Sequence, residues 1–264
     1  MKIDSFITWE PDLTDLSKER KSKPREIGCT MVMDKGLGLT AFEDLCQLSG
    51  EYIDFLKLGF GTAAITPQPI LQKKLNHAQK HYIHLYPGGT FFEIAWMQKY
   101  FSKYINHLCK LGFSWVEISD GTISISDSDR SSCIQYARSE GLQVLTEVGK
   151  KKSGSVLSVS EVLKIYEQDL QAGASFVIME GRETGKNIGM FDREGKINTT
   201  YLSELQKVLT PSLVIWEAPQ KDQQVELFER FGVQTNLGNI APHDVLSVES
   251  LRRGLRSDTL SWWT

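Results

Sequence analysis

Eight times along this chain a short β-branched or aromatic run is followed by a longer segment of helical periodicity, and this alternation constrains the fold more than any other feature. The apolar runs cover residues 29–34, 52–58, 82–86, 115–119, 143–148, 176–180, 213–217 and 235–240. Amphipathic segments follow at 41–48, 68–80, 91–111, 130–140, 160–172, 200–209, 221–231 and 242–255. In the last of these, Val245, Leu246, Val248, Leu251 and Leu255 recur at the spacing of a helix packed on a core. Gly50, Gly112, Gly141, Gly173 and Gly232 stand just past their periodic segments, where helices end. Eight strand–helix units in 264 residues fit a single α/β domain, a (β/α)8 TIM barrel. A doubly wound open sheet would carry a glycine-rich dinucleotide turn after its first strand, and Asp34-Lys35-Gly36-Leu37-Gly38 lacks that spacing. No Pro-, Gly- or Ser-rich linker divides the chain. The expected organisation is an N-terminal extension over residues 1–26, packed on the barrel, and the barrel itself over 27–264.

Composition removes several classes of partner. With 30 basic and 33 acidic residues, the formal charge of −3 gives no electrostatic footprint for nucleic acid or an anionic membrane. Small anionic substrates stay open, because a local cationic pocket does not register in net charge. Charge and proline interrupt the first twenty residues, so no leader is expected, and no run approaches the ~18–20 apolar residues of a membrane helix. Cys29, Cys46, Cys109 and Cys133 lie 17, 63 and 24 residues apart. That spacing suits buried thiols rather than a zinc cluster or redox dithiol, and points to the cytoplasm.

A barrel of this kind takes its functional groups from the carboxyl ends of strands and the loops that follow. Strands four to seven end in Glu117, Glu147, Glu180 and Glu217, one acid per unit, each closing an apolar run where an unpaired charge is costly. Strand one ends in Asp34, strand two carries Lys57, and strand eight carries Asn236 and Asn239. Two-residue periodicity puts Ser119 on the face of Glu117, and Arg182 on that of Glu180. Oxygen-only donors without histidine or cysteine suit a hard cation such as Mg²⁺. A rim network of ion pairs is the alternative for any one of these acids; four at equivalent positions, beside Lys57 and Arg182, favour a site. Gly59 and Gly61 after strand two, and Gly88 and Gly89 after strand three, let backbone N–H groups approach an anion. Lys150, Lys151 and Lys152 follow strand five, with Gly149 permitting a turn that sends one of the first two into the mouth. Of the histidines, His77, His81 and His107 fall on helices and His84 begins strand three. Only His243, after strand eight, is placed to touch a substrate, and its other reading is a helix cap.

Read in order, the loop sequences resemble the phosphosulfolactate synthase family. The segments that carry the resemblance are KPREIG, DKG, YIDFLKLGFGT, YPGGTFFE, VEISDGT, LTEVGKK, VIMEGRETGKNIGMFDREGK, EAPQK, NLGNI and LRRGLRSDT, which span the chain from residue 23 onward. The resemblance implies an enzyme, a (β/α)8 lyase that adds sulfite to phosphoenolpyruvate with Mg²⁺ bound, giving (2R)-2-O-phospho-3-sulfolactate. Within that reaction Lys151 is the expected proton donor, acting with Lys57 and Glu147. Arg182, Gly61, Gly88, Gly89 and Asn239 are expected to bind substrate, and Glu117, Glu180 and Glu217 to hold metal. A lysine is expected to donate at neutral pH if a crowded cationic site lowers its pKa. The family pattern FGWGTS is here LGFGTA, and NLANI is NLGNI, so Phe60, Ala63 and Gly238 depart from it without removing a charge.

Two other readings remain at this level: a related barrel lyase that adds another nucleophile to a phosphorylated three-carbon acid, and a non-catalytic stress-tolerance homologue. Retention of Lys57, Glu117, Glu147, Lys151, Glu180 and Arg182 speaks against the second. The sequence leaves open whether coenzyme M synthesis or a sulfolactate store uses the product. It also leaves open a homo-oligomer, since Trp262 and Trp263 form an apolar pair able to cover the barrel's bottom or a subunit contact.

Overall fold

The computed structural model describes residues 9–263, so residues 1–8 of the expected extension, and Thr264, lie outside the described residues. Eight strands form the sheet: β1 Thr30–Asp34, β2 Phe55–Leu58, β3 His84–Pro87, β4 Trp115–Ser119, β5 Gln143–Val148, β6 Phe176–Met179, β7 Val214–Glu217 and β8 Leu237–Ile240. All paired neighbours are parallel, in the order β3-β2-β1-β8-β7-β6-β5-β4. The two end strands, β3 and β4, lie against each other and complete the circle, although among the described residues no backbone ladder joins them. This is the (β/α)8 barrel that the alternation implies.

The helices are α1 Pro11–Thr14, α2 Leu39–Ser49, α3 Thr62–Ile65, α4 Gln68–Lys80, α5 Gly89–Met97, α6 Phe101–Leu111, α7 Asp127–Ser139, α8 Val159–Ala172, α9 Thr199–Val208, α10 Lys221–Phe231, α11 Val245–Arg252 and α12 Ser257–Leu260. Residues 91–111, expected as one helix, split into α5 and α6, because Lys99 takes a left-handed backbone (φ 60°) between them. The apolar run at 52–58 begins as a 3-10 turn over Gly50–Tyr52, and the segment 242–255 opens with another over Pro242–Asp244.

Two apolar layers fix the barrel. The larger lies between the strands' outer faces and the helices. The smaller fills the lumen with Cys29, Met31, Phe55, Tyr86, Trp115, Leu145, Ile178 and Ile215. Continuing inward positions by twos puts Lys57, Glu117, Glu147, Glu180 and Glu217 above that apolar floor, all buried. The opposite end is stitched by polar contacts. Asn236 accepts the Cys29 N–H (2.9 Å) and donates to Val214 O (3.0 Å), bridging β1, β7 and β8. Buried Arg252 donates to Thr235 O (2.7 Å) and Cys29 O (3.1 Å) and lies over the Phe228 ring. The segment before β1 runs across this end: Leu16 N–H donates to Arg253 O (2.9 Å), and Arg20 pairs with Glu249 (3.0 Å). Trp262 packs on the outer apolar layer, and Trp263 lies against Gly254.

Candidate active site

Each acid reaches the mouth because it stands two residues beyond an inward apolar residue of its strand that is locked in the floor. Lys57 lies at the centre. Its ammonium stands 3.0 Å from Glu117 Oε2, 3.1 Å from Glu147 Oε2 and 3.2 Å from Glu217 Oε1. Burial alone would push that ammonium down, but the three carboxylates hold it well above the ordinary lysine value. A cation so enclosed organises the acids around it.

Lys151 takes the outer place. The φ of +131° at Gly149 turns the chain after β5, and a Cβ there would meet Glu180 Cβ at 2.6 Å, so the turn requires glycine. The turn separates the neighbouring lysines. Lys150 donates to Asp120 O (2.7 Å) and Ile123 O (3.2 Å) in the loop after β4, while Lys151 reaches Glu147 Oε1 at 2.7 Å, and Lys152 is exposed. The expectation that cationic crowding lowers the Lys151 pKa is overturned. Burial opposes its charge, but Glu147 and Glu180 outweigh burial and raise it. The Lys151 ammonium is held protonated by acids.

The carboxylates divide by environment. Burial raises Glu117 to about 7 against the pull of Lys57. Burial also disfavours the charge on Glu147, yet Lys151 and Lys57 overcome it and hold that acid below the ordinary range. Glu180 is pushed well above its ordinary value by burial and by the charges of Glu147 and Glu217. One oxygen from each of Glu147, Glu180 and Glu217 lies within 4.8 Å of the other two. Glu180 Oε2 is buried without a hydrogen-bond partner, with Lys151 3.8 Å away. Three convergent hard oxygens, one of them unsatisfied, fit a divalent cation of the Mg²⁺ type. Glu117, expected among the ligands, is instead committed to Lys57 and to the Gly89 N–H, which donates to its Oε1 at 2.6 Å. Glu147, expected in a catalytic role, joins Glu180 and Glu217 in the convergent set.

The glycines serve differently from an anion cradle. With its N–H given to Glu117, Gly89 leaves room instead: a Cβ there would lie 2.5 Å from Ser119 Oγ. Gly88 similarly clears the Lys57 stem, with Cε 3.1 Å from where its Cβ would stand. Gly61 has φ +69° and open space around it, ahead of α3. Arg182, itself left-handed (φ 56°), gives its backbone N–H to Glu180 Oε1 (2.7 Å) and Glu217 Oε2 (3.1 Å). Its guanidinium donates one bond, from Nη1 to Lys151 O (3.0 Å), and is exposed. Asn239 donates to Arg182 O (2.9 Å) and keeps a buried, unpartnered Oδ1.

Some expected groups lie elsewhere, and one was not expected. Asp34 faces the helices, paired with buried Lys74 at 2.6 Å. His243 is exposed beside Asp244, and His84 packs on Phe55 and Trp115 at the opposite end of the barrel. Glu93 on α5 joins the site, buried, accepting from Ser119 Oγ (2.5 Å) and standing 3.8 Å from Lys151 Nζ. In sequence it reads as a helix charge within an apolar stretch, and only the identity of the YPGGTFFE segment marks it.

Comparison with known proteins agrees with this geometry. The family model described as (2R)-phospho-3-sulfolactate synthase (ComA) matches residues 18–258. A phosphosulfolactate synthase of Methanocaldococcus jannaschii is 47% identical over 234 residues, 88% of this chain and 93% of that protein. Those of Methanothermobacter thermautotrophicus and Bacillus subtilis are 41% and 34% identical, covering 93% and 94% of this chain and 96% and 99% of their own lengths. Among solved structures, a 3-hexulose-6-phosphate synthase superposes with TM-score 0.56 at 12% identity, over 87% of this chain and all of that one, a likeness of fold alone. Among the described residues, no helix is long and apolar enough to cross a membrane. By the extent of the family match and the identity to these relatives, the chain belongs to the (2R)-phospho-3-sulfolactate synthase (ComA) family.

Proposed function

We propose that this protein is a phosphosulfolactate synthase, a lyase that joins sulfite to the methylene carbon of phosphoenolpyruvate. The observation that carries this reading is the meeting of Glu147, Glu180 and Glu217 within 4.8 Å, with Lys151 2.7 Å from Glu147, above a buried apolar floor. Attack by the sulfite sulfur forms the C–S bond and sends the double-bond electron pair towards the phosphate-bearing carbon and its carboxylate. A divalent cation held by Glu147, Glu180 and Glu217, of which Mg²⁺ fits the donor set, supplies positive charge for that carboxylate when bound. Lys151 Nζ gives the proton that completes the phosphate-bearing carbon. Its neighbouring acids keep the ammonium charged until the far more basic carbanionic centre forms. Lys57 fixes Glu117, Glu147 and Glu217 in place, so the acids need not reorganise as charge develops. Arg182, exposed at the rim with Nε and Nη2 making no hydrogen bond among the described residues, receives a phosphate or sulfite oxygen, and Asn239 steadies its backbone. Four unpaired cysteines, three of them buried, support a reducing compartment such as the cytoplasm.

The test is turnover of phosphoenolpyruvate and sulfite, with and without Mg²⁺, by wild type and Lys151→Met. Phosphosulfolactate formed only with Mg²⁺, and lost in the variant, supports the proposal. A variant that turns over at the normal rate removes Lys151 from the mechanism. Exposed Phe60, where the family pattern has Trp, makes other small nucleophiles worth including; product from one of these and not from sulfite would favour the related lyase.

A further inference from the structure

We propose that Glu93 and Gly121 form a seat that positions Lys151, Glu93 holding the ammonium and Gly121 the stem. The inference rests on Lys151 as the proton donor. Glu93 is 1% exposed, and burying its carboxylate is costly unless it is satisfied. Its hydrogen bonds come from neutral donors: Ser119 Oγ at 2.5 Å, the Thr122 N–H at 3.2 Å, and the Thr122 hydroxyl. The one cation within ion-pair reach, among the described residues, is Lys151, 3.8 Å away. Those bonds fix the carboxylate to β4 and to the loop that follows it, so its oxygen is a rigid landmark at the mouth. Gly121 belongs to the same loop. A Cβ on it would lie 2.9, 3.0 and 3.1 Å from Cγ, Cδ and Cε of Lys151, so the methylene stem runs over the bare backbone of this glycine. Gly121 O also accepts the Lys151 N–H at 2.9 Å. The loop after β4 therefore holds the main chain and stem of the donor, and through Thr122 it fixes the Glu93 carboxylate that faces the head.

Of the carboxylates around the Lys151 ammonium, Glu147 and Glu180 belong to the convergent acidic set, whereas Glu93 does not. Glu93 is thus the partner free to keep Lys151 aimed while the other two serve elsewhere. Proton delivery from a fixed lysine reaches one face of the accepting carbon, which gives the seat a chemical readout that a merely structural role would not alter.

Glu93→Gln removes the charge and keeps one of the two acceptor oxygens, which Ser119 and Thr122 now use separately; Gly121→Ala retains every charge and every acceptor and displaces the stem. Each is assayed for kcat, KM and the configuration of the product. The expected result for both is kcat lower by ~10- to 100-fold, the loss that ångström-scale misplacement produces. KM for phosphoenolpyruvate should stay within ~3-fold, and product of the opposite configuration should appear as solvent protonates the other face. Glu93→Asp, which keeps the charge, should restore part of the rate. Either variant folding with unchanged kcat and a single product configuration overturns the proposal, and if Glu93→Gln does not fold, Gly121→Ala decides alone. A wild type that fails to turn over the two substrates removes the parent reading and this inference with it, an outcome distinct from the first.

Discussion

Replacing Lys57 by Met keeps the length of the stem and removes the charge that three buried acids share. At 3.0–3.2 Å each attraction is gross ~5 kcal/mol at an effective dielectric of ~20, far more than is lost in practice. Protonation limits the loss. Glu117 already titrates at about 7, so without its lysine it takes a proton near neutrality at little cost, and Glu147 keeps Lys151. What remains is the usual penalty for breaking a buried pair, ~3–5 kcal/mol at about pH 8. Each proton the native variant binds beyond native wild type regains ~1.4 kcal/mol per pH unit, and because wild-type Glu117 itself fills with a proton around pH 7, the penalty should shrink by ~1 kcal/mol by about pH 6. Urea unfolding of both proteins at the two pH values measures this as a difference in midpoint at constant slope. A variant as stable as wild type, or one equally weakened at both pH values, would refute the reasoning that Lys57 is the counter-charge of this cluster.

Other perturbations follow from the same geometry. In wild type, Glu117 and Glu180 have raised pKa values, so their contribution is full below the ordinary glutamate value and is lost as pH rises, through about 7 for Glu117. Glu147, held low, contributes above that ordinary value and loses its share as pH falls below it. Calorimetry should therefore show the metal-free protein weakening between about pH 5 and 8, with added Mg²⁺ raising the melting temperature more at the higher pH. Gly89→Ala should cost ~1–3 kcal/mol in chemical denaturation and reduce turnover, because its Cβ would lie 2.5 Å from Ser119 Oγ and 2.7 Å from Glu117 Oε1. Arg130→Met strands buried Asp169, now bound at 2.6 Å, and frees the carbonyl of Glu147. A loss of ~3–5 kcal/mol is expected, largely recovered in the double variant Arg130→Met/Asp169→Leu, as a double-mutant cycle would show.

The barrel was legible because parallel strands are covered on both faces and so leave uninterrupted apolar runs. Boundaries drifted where no glycine or proline announces the change, as at Lys99, whose left-handed backbone ends α5 within one periodic stretch. Glu147, Glu180 and Glu217 were visible as charges closing apolar runs. Glu93 was not, because a single acid within a helix reads as solvent-facing until the fold turns it inward towards Ser119. The pairing of Lys74 with Asp34 across forty residues was likewise beyond any local pattern. Nor could spacing tell which glycines offer an N–H and which only clear space; Gly89 gives its N–H to a protein carboxylate.

Between β3 and β4 the circle of strands lacks a ladder among the described residues, and here Gly89 donates to Glu117 while Ser119 donates to Glu93. Side chains thus act as the clasp where backbone leaves a seam. Recasting Glu117 or Glu93 therefore also loosens the clasp, and selection for chemistry at this mouth is at once selection for closure. Redesign should begin at Glu180 and Glu217, at the mouth ends of strands that ladders join on both sides, where reactivity can change without opening the ring.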